Sequence, residues 1–107
     1  LEAAIRDALG KWPGEEITVA ELAELTELGA SGRGIADLSG IEHLYNPLEL
    51  DLRGNQISDI SPLVENSGLG EGDTVDLYSN RLDLSGNSGD LENISKLEER
   101  GVEVLIR

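Results

Sequence analysis

The sequence predicts an α/β solenoid: a right-handed coil with a short parallel sheet along one side and a helical cap at its N-terminal end. Two observations predict the coil. The segments Leu50-Asp51-Leu52-Arg53-Gly54-Asn55-Gln56-Ile57 and Val75-Asp76-Leu77-Tyr78-Ser79-Asn80-Arg81-Leu82 spell one pattern twice: apolar, x, apolar, x, x, Asn, x, apolar. A weaker copy occupies residues 28–35 and a truncated one residues 102–107, so the pattern recurs at intervals in the twenties. Such a period marks a unit that cannot bury its own apolar face and must stack on its neighbours. The third observation concerns the segment ahead of the repeats, where apolar residues recur at three and four and predict the cap.

In the cap, residues 1–24, Leu1, Ala4, Ile5, Ala8 and Leu9 form the apolar side of a helix that Gly10 and Pro13-Gly14 end. Trp12, beside that turn, is expected to pack the cap. Thr18-Val19-Ala20-Glu21 is a capping box that opens a second short helix through about Leu25. A solenoid needs such a cover, because its first strand otherwise exposes an unpaired edge and an apolar cross-section.

The repeats, residues 25–107, form three units plus a terminal strand. Numbered so that the Asn is position 9, the first repeat runs over 25–46 and places Leu28, Ala30, Ile35, Leu38, Ile41 and Leu44 at positions 4, 6, 11, 14, 17 and 20. The second starts at Pro47 and matches with Leu50, Leu52, Asn55, Ile57, Ile60 and Leu63. The third centres on Val75, Leu77, Asn80 and Leu82, and the fourth strand is 102–106 with Val102 at position 4. Equivalent positions are spaced 22 residues from Arg33 to Asn55, 25 to Asn80 and 27 to Arg107. The added length falls in the Gly-, Ser- and Asn-rich stretches 67–72 and 85–90, which read as loops. In each strand the two apolar residues point inward and the intervening residues face solvent. Asp37 and Ser61-Pro62 read as starts of short return helices, with proline tolerated in the first turn. Residues 90–100 read as a fuller helix with Leu91, Ile94 and Leu97 inside and Gly101 as its stop.

Composition narrows the function. Eight basic and twenty-two acidic side chains give a net charge of −14, which excludes a nucleic-acid backbone binder. The acids are interleaved with Leu and Ile, so a folded chain is expected rather than a disordered one. With no Phe and one Trp the core is aliphatic, and with no Cys there are no disulfides or thiolate metal sites. No apolar run is long enough for membrane insertion. The absence of Met, with a strand-like segment at the C-terminal end, leads us to expect a piece of a longer chain.

The stretch Leu50-Asp51-Leu52-Arg53-Gly54-Asn55-Gln56-Ile57-Ser58-Asp59-Ile60-Ser61-Pro62-Leu63 resembles one repeat of the bacterial leucine-rich repeat proteins of the internalin type nearly letter for letter, and the two-helix start is similar to their cap. The resemblance covers almost the whole chain. It implies a leucine-rich repeat fold, a family of surface proteins, and hence an extracellular or cell-surface location, with the cytoplasm left open. It also implies that Asn55 and Asn80 form a ladder of side-chain amides bonded to the main chain of neighbouring coils. The repeats here depart from the regular 22-residue length, and Arg33 replaces the first Asn.

The outward strand residues form the candidate binding face. Position 3 carries Glu27, Glu49 and Thr74, position 5 carries Gly29, Asp51, Asp76 and Glu103, and position 7 carries Ser31, Arg53, Tyr78 and Leu105. Stacked strands then make an acidic column of Asp51, Asp76 and Glu103 beside Arg53 and Tyr78, residue types enriched at interface hot spots. The functional reading is non-catalytic recognition of a basic or mixed-charge protein or peptide by Glu49, Asp51, Arg53, Thr74, Asp76, Tyr78 and Glu103, in a chain that is monomeric as an isolated domain. The alternative is a structural spacer or capping module whose charged face only keeps it soluble. A calcium site on these carboxylates, or on Asp83, Asn87 and Asp90, is the sharper third reading, but no spacing matches the twelve-residue calcium loop and no metal ligand is assigned. His43, the only histidine, reads as an exposed residue of the convex side; with no partner for a nucleophile–base pair, neither catalysis nor a cofactor is expected.

Overall fold

The computed structural model describes residues 1–44, 49–86 and 88–106. Asn46, Pro47, Asn87 and Arg107, which figure in the repeat boundaries and the loop-based calcium reading, lie outside the described residues. In chain order the elements are α1 (Glu2–Leu9), α2 (Val19–Glu24), β1 (Glu27–Gly29), a single 3-10 turn (Ile41–His43), β2 (Glu49–Asp51), α3 (Ser61–Glu65), β3 (Thr74–Asp76), α4 (Gly89–Glu99) and β4 (Glu103–Leu105). The four strands form one parallel sheet in the order β1-β2-β3-β4. Each return segment crosses behind the sheet, which makes the chain a leucine-rich repeat solenoid.

Three-residue strands are too short to hold together by their own hydrogen bonds, so stacking of the inner side chains has to supply the stability. It does so through one core. Leu28, Ala30, Leu50, Leu52, Val75 and Leu77 from the strand side and Ile35, Leu38, Ile41, Leu44, Ile57, Ile60 and Leu63 from the return side are all buried in a single cluster. Ala4 and Ile5 of α1 close that cluster at the N-terminal end. At the other end Val104 is partly buried and packs against the same cluster.

The fourth strand corrects the register expected from the sequence. Glu27, Glu49, Thr74 and Glu103 share one level of the sheet, Leu28, Leu50, Val75 and Val104 the next, and Gly29, Asp51, Asp76 and Leu105 the third. Position 4 of the last coil is therefore Val104, two residues later than the repeat pattern suggests. A two-residue shift keeps every side chain on its side of the sheet, so the alternation of Val102, Val104 and Ile106 fits either register. What decides is the long helix α4 and its exit. Gly101 has φ +91, and a Cβ there would lie 2.9 Å from Cα of Glu71, so the chain passes that point as glycine only. The Glu103 amide then donates to the Asp73 carbonyl at 2.8 Å and fixes the pairing.

Three local expectations also differ. Asp37 starts no helix; its carboxylate accepts the Ser39 amide at 2.8 Å in a tight turn, and the return segment makes only the 3-10 turn. Ala8 is exposed rather than on the buried side of α1. Trp12 does not pack the cap, being 77% exposed. Arg6 donates to the carbonyls of Trp12 and Glu15 at 3.1 and 2.6 Å, which pins the loop by its backbone and leaves the indole outside.

Buried turns are satisfied between coils. The Asn55 amide nitrogen donates to the carbonyls of Ala30 (2.9 Å) and Leu52 (3.0 Å), and its oxygen accepts the amides of Arg33 and Ile35, both at 3.0 Å. Asn80 repeats the arrangement one coil on, donating to Leu52 and Leu77 at 2.8 and 3.1 Å and accepting Ile57 at 3.0 Å. Orphaning such buried groups costs on the order of 1–3 kcal/mol. Asn55→Ala is therefore expected to destabilise the domain by about that amount, and a melting temperature unchanged within error contradicts the assignment.

The capping box forms as expected, Thr18 accepting the Glu21 amide at 3.2 Å while Glu21 accepts that of Thr18 at 3.0 Å. Glu21 also meets Lys11 at 2.7 Å, and this contact, followed by the Thr18 amide, pulls its carboxyl down to about 2. A depressed pKa in the folded state contributes stability that is complete above the ordinary carboxylate value and is lost as pH falls through the folded one. Glu21→Gln is expected to lower the melting temperature at about pH 6, with a gap to the unsubstituted protein that narrows steadily as pH falls from the ordinary carboxylate range toward about pH 2, because protonation progressively removes the same interaction. A constant gap across that range refutes the coupling.

Candidate functional site

The four strands present two levels of outward residues, the first and the third, on either side of an inward level, and the parallel register sets what lies beside what. On the first level Glu27 and Glu49 are adjacent, followed by Thr74 and Glu103; on the third, Gly29, Asp51, Asp76 and Leu105 follow one another. The expected acidic column of Asp51, Asp76 and Glu103 is thus replaced by Asp51, Asp76 and Leu105, and Glu103 stands in the glutamate row. Adjacent strands are about 4.8 Å apart, so neighbours in a row are within direct electrostatic reach.

Arg53 sits over the centre of this face. Its Nε and a terminal nitrogen donate to the two oxygens of Asp51 at 2.9 and 3.0 Å, and Nε also lies 3.4 Å from Asp76. A planar guanidinium suits this forked contact, which holds the side chain in one geometry. Hydrogen bonding from Arg53 is the main cause that holds the Asp51 carboxyl below its ordinary range, and Asp51 in turn raises Arg53. The two aspartates also accept the backbone amides two residues on, Arg53 at 3.3 Å and Tyr78 at 3.1 Å, so each is fixed from both sides. The Gly54 amide donates to the Tyr78 carbonyl at 2.9 Å, which places Tyr78 on the coil next to Arg53, half-buried and with part of its surface open. Glu27, Glu49 and Glu103 are exposed, and among the described residues none of them is ion-paired.

Two shallow concavities indent the face. One, lined by Glu27, Gly29, Glu49 and Asp51, lies between β1 and β2, where Gly29 leaves the space of a side chain empty. The other lies beyond β2 and is lined by Glu49, Asp51, Arg53, Thr74, Asp76 and Leu105. They share Glu49 and Asp51 as a common wall.

The other candidates fall elsewhere. Asp83 accepts the amide of Ser85 at 3.0 Å, and Asp90 accepts the amide of Asp83 at 2.7 Å, so both carboxylates close their own loop; Asn87 is outside the described residues. Among the described residues no group of three His, Cys, Asp or Glu is placed to hold a metal. His43 is exposed on the return side, 3.7 Å from Glu42.

Sequence reasoning missed a second amide relay on the return side. Asn66, 1% exposed, donates to the carbonyls of Ile41 and Leu44, both at 2.8 Å. Arg100 donates to the carbonyls of Asn66 (2.9 Å) and Val64, capping the C-terminal end of α3. The signal for Asn66 was present: it occupies repeat position 20, where the first repeat has Leu44, and a polar residue at an apolar register needs a partner.

No protein-family model matches the chain, and no curated protein matches it significantly. Solved structures do. An internalin C2 from Listeria monocytogenes superimposes with a TM-score of 0.69 at 25% sequence identity over 99% of this chain. An internalin, inlF, from the same organism does so with a TM-score of 0.69 at 34% identity over 97%. The chain spans 52% of the length of the first structure's chain and 29% of the second's. Period, parallel register and these likenesses agree: the chain is an internalin-like leucine-rich repeat protein of the bacterial type.

Proposed function

We propose that the strand face is a non-catalytic protein-recognition surface, borne by a larger bacterial exported or surface protein. The observation that carries this reading is the locked Arg53–Asp51–Asp76 cluster with Tyr78 beside it. Fixing long charged side chains in advance reduces the ordering cost of association, and a half-exposed tyrosine offers contact area with few rotatable bonds. The exported or surface setting rests on the likeness to internalins. No residue is assigned a catalytic role, since the one histidine faces the opposite side from this cluster.

Capture by the immobilised domain from extracts of candidate host or bacterial cells tests the reading. The unsubstituted domain is expected to retain a partner reproducibly, and Tyr78→Ala and Arg53→Ala to lose it. Tyr78→Ala is expected to leave the melting temperature nearly unchanged. Arg53→Ala releases repulsion between Asp51 and Asp76, worth somewhat under 1 kcal/mol in water, so its thermal shift is small. Reproducible absence of capture by the unsubstituted domain favours a structural spacer instead.

A further inference from the structure

We infer that the partner segment read by this face is an extended, basic peptide that crosses the strands and seats two cationic side chains, at positions i and i+2, in the two concavities that flank Glu49 and Asp51. The inference rests on the recognition reading above and specifies its chemistry.

The first argument is charge. The outward positions of the four strands hold five carboxylates, Glu27, Glu49, Asp51, Asp76 and Glu103, against one guanidinium. Arg53 is already engaged by Asp51 and Asp76, so it offers little to an incoming anion. The glutamate row has no internal cation, so the charge it leaves unbalanced is negative. Complementarity requires a cationic partner.

Shape supplies the second argument. The concavities are about 170 and 220 Å³, each large enough for the end of a lysine or arginine side chain and neither deep enough for a folded element. One opens between β1 and β2, the other over β2 and β3 toward Leu105, so their centres are between one and two strand spacings apart, on the order of 5–10 Å. Alternate side chains of an extended chain project on one side at about the same interval. Adjacent lysines of an extended peptide point to opposite sides and cannot fill both. The wall shared by both depressions makes Glu49 the one outward glutamate that both cations meet.

Two labelled threonine-based pentapeptides of equal charge test this, one with lysines at its second and fourth positions and one with the lysines adjacent. Affinities measured at low salt are expected to favour the alternating peptide by about fivefold or more. Glu49→Gln is expected to weaken its binding about tenfold with an unchanged melting temperature, and Glu99→Gln, exposed on α4, to leave it unaltered. Equal affinity for the two peptides, or equal loss in the two variants, overturns the inference and leaves only diffuse attraction to a protein of net charge −14. The recognition reading is judged separately. A partner captured through Tyr78 and Arg53 and still held by Glu49→Gln removes the basic-peptide inference but keeps recognition by the face.

Discussion

A coil whose strands are three residues long cannot complete its own hydrogen bonding, and the structure depends on the way that deficit is met. The chain turns out of each strand at the rim of the core, where the carbonyls of the buried Ala30, Leu52 and Leu77 have to find partners. Asn55 and Asn80 answer this by reaching back to the preceding coil, to the carbonyls of Ala30 and Leu52, while their oxygens accept its amides. On the return side Asn66 donates to the preceding coil's Ile41 and Leu44 carbonyls, while its oxygen accepts the Gly68 amide of its own coil. Each amide serves two coils at once, so the stacking offset is set by a directional contact as well as by aliphatic packing. Aliphatic side chains alone tolerate small slips; a side-chain amide with both ends engaged does not.

This division of labour leaves the outward strand positions free. Leu28, Leu50, Val75 and the inner residues after them hold the sheet, so the residues between them can be chosen for charge without loss of core. The choice made is strongly acidic, and its aspartate level would be self-repelling without Arg53. Neighbouring carboxylates about 4.8 Å apart repel by somewhat under 1 kcal/mol in water, and one guanidinium between two of them converts that term into attraction. The cluster also fixes orientation, because the forked contact with Asp51 leaves Arg53 one arrangement.

The repeat period, the inner leucines, the capping box, α3 and α4 were legible because each follows from a local rule that the solenoid reinforces. The outcome differed where the local rule is degenerate or silent. Alternation with period two cannot tell the register of β4 from one shifted by two residues, so the repeat pattern puts Glu103 on the level that Leu105 occupies; the close pass of Gly101 by Glu71 and the Glu103–Asp73 hydrogen bond resolve it. Trp12 carries a strong packing prior, but its loop is fixed by Arg6 through backbone carbonyls, which no hydrophobic pattern reports. On the face itself the residues of the first three strands could be read from the sequence, while the Arg53 cluster and the shared wall at Glu49 depend on side-chain directions that spacing does not encode.

The corrected register also gives the face a direction. Toward β1 and β2 it ends in Glu27 and Glu49 around the space left by Gly29. Toward β4 the level of the aspartates ends in Leu105, which contributes an apolar wall to the second concavity. Had Glu103 stood there, as the repeat pattern alone suggests, the level would have been acidic on β2, β3 and β4 alike. With Leu105 in that place, the β4 end of this level carries an apolar wall where the β2 and β3 positions carry carboxylates. The loop lengths that shift β4 by two residues therefore decide which side chains line that end of the face, as well as how the last coil packs.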